Sequence, residues 1–216
     1  EDVINELNSI SQLVDSAFNL RGPFKHRNID KIELIRLLGT TSLLHFSGHY
    51  KNDGWKLFND SFRASDIKKC SRTPKFLFFN SCGDYANSFI ELINSFLTKG
   101  TQSIISGSGK LPSKRASEFS NIFYKFFILN NHTIGKSLFL AKQEMMKKYG
   151  LQDFFWCFYQ LYGSSLMKID KKRTITIKKH NSFKFKYILS FLMVVFISYY
   201  GSTYFLNGKF FNKKIK

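Results

Sequence analysis

Two side chains in this sequence make a nucleophile if they meet: the thiol of Cys82 and the imidazole of His49. A thiol is a weak nucleophile until it loses its proton, and an adjacent imidazole can take that proton and leave a reactive thiolate. Each residue closes an apolar run, Ser42-Leu43-Leu44-His45-Phe46-Ser47-Gly48-His49 in one case and Lys75-Phe76-Leu77-Phe78-Phe79-Asn80-Ser81-Cys82-Gly83-Asp84 in the other. Four consecutive bulky residues, Phe76 to Phe79, read as a strand buried on both faces of a sheet. If the two runs are parallel neighbours, His49 and Cys82 emerge together at the carboxyl edge, where open α/β sheets build their sites.

The flanking chain supplies elements that would position these ends. Val3, Leu7, Ile10, Val14 and Ala17 form one stripe of a helix over 2–17. Asn28 or Asp30 is placed to cap a second helix carrying Ile32, Ile35 and Leu38 and ending at Gly39. Trp55 to Phe58, a polar turn at Asn59-Asp60, and Ser61 to Arg63 read as a hairpin, followed by a short helix from Ser65-Asp66 to Cys70. Phe89, Leu92, Ile93 and Phe96 mark a helix over 88–97, closed by Gly100. A short strand follows over 102–106. Pro112-Ser113 opens a helix to about Leu129, Thr133 caps another through Lys148, and the aromatic run 154–162 reads as a strand ending at Gly163. Helices alternating with apolar strands indicate an α/β sandwich with a mainly parallel central sheet.

Composition narrows the function classes. Cys70, Cys82 and Cys157 are an odd number without close spacing, which argues against a disulfide framework or a zinc site and fits a reducing compartment. Cys70 and Cys157 read as small buried hydrophobes, the latter within the aromatic strand. His45, on the same strand face as His49 but deeper, reads as structural packing. Asp84 and Asp153 are candidates for the negative floor of a substrate pocket, although solvated loop acids are the plainer reading. The formal charge of +18 is uneven: from Lys168 to Lys216 there are 12 Lys and Arg against Asp170 alone. This excess flanks Tyr187 to Leu206, a 20-residue stretch free of charge, which as a helix spans about 30 Å, the thickness of a bilayer core. Eight bases precede that stretch and four follow it, an asymmetry that places the globular domain on the cytoplasmic side of a single-pass membrane helix. Beside an apolar span, such charge points to lipid; no specific nucleic-acid partner is expected. The expected layout is 1–165 globular domain, 166–186 basic linker, 187–206 transmembrane helix and 207–216 basic tail.

From Glu1 to about Ser165 the order of these segments resembles a caspase-like CHAT domain, a branch of the clan that also holds caspases, separases and gingipains. The matching stretches are His45-Phe46-Ser47-Gly48-His49, the Trp55–Phe58 and Ser65-Asp66 segments, Phe78-Phe79-Asn80-Ser81-Cys82, 100–106, Ser117-Glu118-Phe119 to Ala141, and 158–163. The resemblance implies a three-layer sandwich and a cysteine endopeptidase, with His49 as base, Cys82 as nucleophile and no cofactor. Backbone N–H groups about Gly48, Tyr50 and Gly83 would meet the oxyanion. It also implies a protein substrate, a role as a switchable effector in defence or cell death, and an upstream strand with a sensor or regulatory module. Tyr50 stands where the family has Gly, so its side chain is expected to narrow the cleft or tilt an oxyanion donor. The alternative function is a catalytically inactive, membrane-anchored adaptor that binds a protein partner.

Overall fold

The apolar run Phe76–Phe79 forms the centre of a six-stranded sheet, and all four side chains are fully buried. In this computed structural model the described residues are 2–15, 22, 29–51, 53–83, 87–107 and 112–169. They belong to one unit, Glu1–Lys171. The strands are β1 (Leu43–Lys51), β2 (Gly54–Lys56), β3 (Ser61–Arg63), β4 (Phe76–Gly83), β5 (Ser103–Gly107) and β6 (Tyr159–Gly163), in the spatial order β3-β2-β1-β4-β5-β6. β1, β4 and β5 run parallel, whereas β2, β3 and β6 each pair antiparallel with their neighbour. The sheet is therefore mixed, parallel through its central strands β1, β4 and β5, with hairpin-type pairing at one flank and a returning antiparallel edge strand at the other.

Helices cover both faces. On one lie α1 (Asp2–Asp15), α5 (Ser113–Tyr124) and α6 (Ile134–Tyr149). Their core includes Ile10, Val14, Phe119, Phe123, Phe127, Ile134 and Ala141 and packs on Phe76, Phe78 and Ile105 of the sheet. On the other lie α2 (Lys31–Leu38), α3 (Ala64–Ile67) and α4 (Asn87–Thr98), which bury Leu34, Leu38, Ile67, Phe89, Leu92, Ile93 and Phe96 against Leu77, Phe79 and Ile104. Adjacent strand residues serve opposite layers because successive side chains alternate in direction. The result is the three-layer α/β sandwich that the sequence predicts.

Local chemistry sets the element ends. Asp30 caps α2, its Oδ1 accepting the Glu33 N–H at 2.7 Å, and Thr133 Oγ1 accepts the Lys136 N–H at the start of α6. The helix expected to run to Leu129 changes pitch: α5 ends at Tyr124 and Lys125–Leu129 form a π turn, in which the Asn130 N–H reaches the Lys125 carbonyl five residues back.

Three expectations change. The buried face of α2 is Leu34, Leu37 and Leu38, while Ile32 is 79% exposed. The aromatic run is only half strand: Phe154–Phe158 form a 3₁₀ turn and β6 begins at Tyr159. Cys157 lies on that turn and is exposed, whereas Cys70 is buried as expected. No helix among the described residues is long and apolar enough to cross a membrane. The stretch Tyr187–Leu206, the tail and all but the start of the basic linker lie outside the described residues.

Candidate active site

β1 and β4 align residue for residue, from Leu43 beside Phe76 to Tyr50 beside Gly83, and His49 is the register partner of Cys82. The two residues thus occupy one rung at the carboxyl end of the parallel pair, with Gly48–Ser81 and Tyr50–Gly83 on either side. Neighbouring strands lie about 4.8 Å apart, so the backbones of the two residues are adjacent at that edge. His49 is exposed to solvent.

Alternation along β1 sends Leu44, Phe46 and Tyr50 into the layer of α2, α3 and α4, while Leu43 packs into the opposite one. Tyr50 is 2% exposed; its ring meets Phe89 edge-on at 5.3 Å and its hydroxyl bonds Ser88 Oγ at 3.1 Å. Its side chain therefore lies in the α4 layer and does not narrow a cleft on the His49 face. Gly48 sits over the Phe46 ring, where a Cβ would come within 3.0 Å of Cζ, so the absent side chain preserves the packing of Phe46.

The two acids considered for a substrate pocket fare differently. Asp153 is joined to Arg115 Nη2 at 2.7 Å, and the same guanidinium covers the Tyr149 ring at 3.4 Å. That carboxylate is engaged within the protein and is not a free pocket floor. Arg115 itself belongs to the first turn of α5. Asp84 lies outside the described residues. Among the described residues no group of His, Cys, Asp and Glu is placed to hold a metal ion.

One participant has no sequence signal. Glu6, on α1, is 2% exposed and accepts four hydrogen bonds: from His45 Nε2 at 3.1 Å, Ser47 Oγ at 2.8 Å, Asn80 Nδ2 at 2.5 Å and Ser120 Oγ at 2.7 Å. Burial alone would push its pKa up. The hydrogen bond and attraction from His45, with the bonds from Ser120 and Asn80, outweigh burial and hold the carboxyl below its ordinary value. His45 is pinned on its other side by the Tyr124 hydroxyl at 3.3 Å from Nδ1 and stacks on Phe78. It is thus a structural histidine, as its depth in the strand suggests. Asn80 Oδ1 accepts from the Tyr159 hydroxyl at 2.5 Å. Burial, with the Glu6 charge, raises the Tyr124 phenol well above its usual pKa.

No family model matches the sequence, and no curated protein matches it. Solved structures do match in shape. The Arg-specific cysteine proteinase gingipain R superposes with a TM-score of 0.59 at 15% identity, over 78% of this chain and 43% of that one. The complex of the pro- and mature domains of RgpB from Porphyromonas gingivalis gives 0.57 at 13% identity, over 75% of this chain and 42% of that one. The fold is caspase-like. The chain spans about two fifths of the length of these cysteine proteinases, and at such low identity the likeness is one of fold.

Proposed function

We propose that this chain is a CHAT-type cysteine endopeptidase in which His49 is the general base and Cys82 the nucleophile. The observation that carries the reading is the shared His49–Cys82 rung at the carboxyl edge of two parallel strands, in a fold that gingipain R also has. In this mechanism His49 takes the Cys82 proton and the thiolate adds to the carbonyl carbon of the scissile peptide. Backbone N–H groups near Gly48, Tyr50 and Gly83 stabilise the oxyanion. The C–N bond then breaks, the leaving amine takes the proton from His49, and water, activated by the same imidazole, hydrolyses the thioester. The substrate in this reading is a protein partner. Anchoring by residues 187–206, with the domain on the cytoplasmic side, would suit a substrate that acts at the membrane, in a switchable defence or cell-death effector under an upstream sensor.

Alkylation of Cys82 by iodoacetamide, followed from pH 5 to 9 and resolved by peptide mass spectrometry, tests the dyad. The separate peptide is needed because Cys157 is exposed. Reaction is expected well below the unperturbed thiol pKa of about 8.5, and His49→Ala should slow it about tenfold or more at pH 6.5. Cys82→Ala should abolish cleavage of a partner or of a mixed peptide library. A Cys82 that titrates as a free thiol, with Cys82→Ala leaving partner binding intact, would instead make the chain an adaptor.

A further inference from the structure

Glu6 is a carboxylate removed from water, and removal of a charge from water is costly unless donors replace the solvent. Here the replacement is complete, and its distribution is informative. The donors come from β1, β4 and α5, while the carboxylate comes from α1. Two of them, Ser47 and Asn80, are register partners, and the next rung of the same parity along both strands is His49 with Cys82. Two residues of strand advance about 6.6 Å, so Glu6 clasps the rung directly beneath the candidate dyad. Through His45 it also holds the rung below that, where His45 pairs with Phe78.

The clasped side chains are fixed from their far sides too. Tyr159 of β6 holds the Asn80 amide, and Tyr124 holds His45. Directly after Tyr124 the helix yields to the π turn, a departure from regular pitch often retained where a side chain must be placed. An apolar side chain at position 6 would fill the space without orienting either strand. A buried ionic group is weak as a source of stability, and in some proteins it is kept for the unique geometry it imposes.

We propose that Glu6 is the positioning residue of the site: its buried carboxylate fixes the Ser47–Asn80 rung and thereby the spacing of the strand ends that carry His49 and Cys82. This role rests on the dyad reading above. Glu6 is bonded to the side chains of the Ser47–Asn80 rung, so it acts through the strands.

The test uses the full 216-residue chain and three variants. Glu6→Gln removes the charge, Ser47→Ala removes one strand contact to it, and Thr101→Val breaks the remote buried Thr101–Thr73 hydroxyl pair as a stability control. Each is followed by the pH profile of Cys82 alkylation and by thermal unfolding. In Glu6→Gln and Ser47→Ala the profile should move toward that of a free thiol, with the rate at pH 6.5 falling about tenfold for each unit of pKa. Thr101→Val should lose stability and keep the wild-type profile. If Glu6→Gln does not fold, Ser47→Ala decides alone. Profiles that match wild type in folded Glu6→Gln and Ser47→Ala overturn the positioning role and leave the dyad standing. A wild-type Cys82 that titrates as a free thiol, with or without His49, overturns the dyad and the positioning role together.

Discussion

Tyr50 occupies a position beside the candidate base where the resembled family carries glycine, yet its ring is committed to the far side of the sheet, against Phe89 and Ser88. Replacing it with glycine should therefore open a cavity in the α4 layer and not a cleft. We expect Tyr50→Gly to cost about 3–5 kcal/mol in denaturant unfolding, the range for deleting a buried aromatic ring. At this scale the sequence was uneven in what it disclosed. The place of His49 and Cys82 at strand ends was legible because each ends an apolar run at small polar neighbours, a pattern that a strand end imposes. Glu6 was illegible: one acid in an amphipathic helix reads as part of the solvated face. Only the return of residues 45, 47, 80 and 120 to the same point reveals that it is buried. Asp153 shows the converse, an acid whose partner, Arg115, lies 38 residues earlier in the chain and leaves no local mark.

At the scale of elements, β6 links the sheet edge to the candidate site, because Tyr159 opens it and bonds Asn80. Its far end depends on Gly163, which has φ 90° and stands so close to Gln102 that a Cβ would lie 2.3 Å from the carbonyl oxygen. Gly163→Ala is expected to destabilise the fold by about 1–3 kcal/mol, from positive-φ strain and the clash together. A lowered midpoint in urea, with faster hydrogen exchange concentrated in β5 and β6, would display it. The aromatic run before this glycine misled because consecutive aromatic residues suit a strand and a tight 3₁₀ turn alike. Cys157 was placed in the core for the same reason. In α2, Lys31–Leu38 spans barely two turns, so Ile32-Ile35-Leu38 and Leu34-Leu37-Leu38 both satisfy helical spacing. The position of the sheet selects the second.

Among the described residues the domain carries two aromatic-rich cores separated by one sheet, and the alternation of apolar strands with amphipathic helices was enough to predict an α/β sandwich. The antiparallel return of β6 was not predictable from its own residues, since partner and direction are set by tertiary packing. Stability should respond to acid in a defined sense. Glu6, Asp66 and Glu118 all have carboxyl groups held below their ordinary values, burial opposing the shift and hydrogen bonds and nearby cations outweighing it. A depressed folded pKa contributes stability that is fully present above the unfolded value, about 4 for these carboxyls, and lost as pH falls through the folded one. Urea midpoints should thus hold from neutral pH to about 5 and decline below about 4. Glu6→Gln should be less stable at neutral pH and show a shallower decline.

The four donors around Glu6 also fix an order of events during synthesis. Glu6 is made 114 residues before its last donor, Ser120. Until α5 has left the ribosome, the carboxylate lacks its full shell and is better solvated by water, so α1 has reason to stay undocked. Domains generally fold as units, and here α1 is held in reserve for α5. The strands bearing His49 and Cys82 are complete well before that moment, but the clasp beneath them closes only when α5 arrives. A nascent chain would thus carry both strands before the Glu6 clasp on the Ser47–Asn80 rung could close.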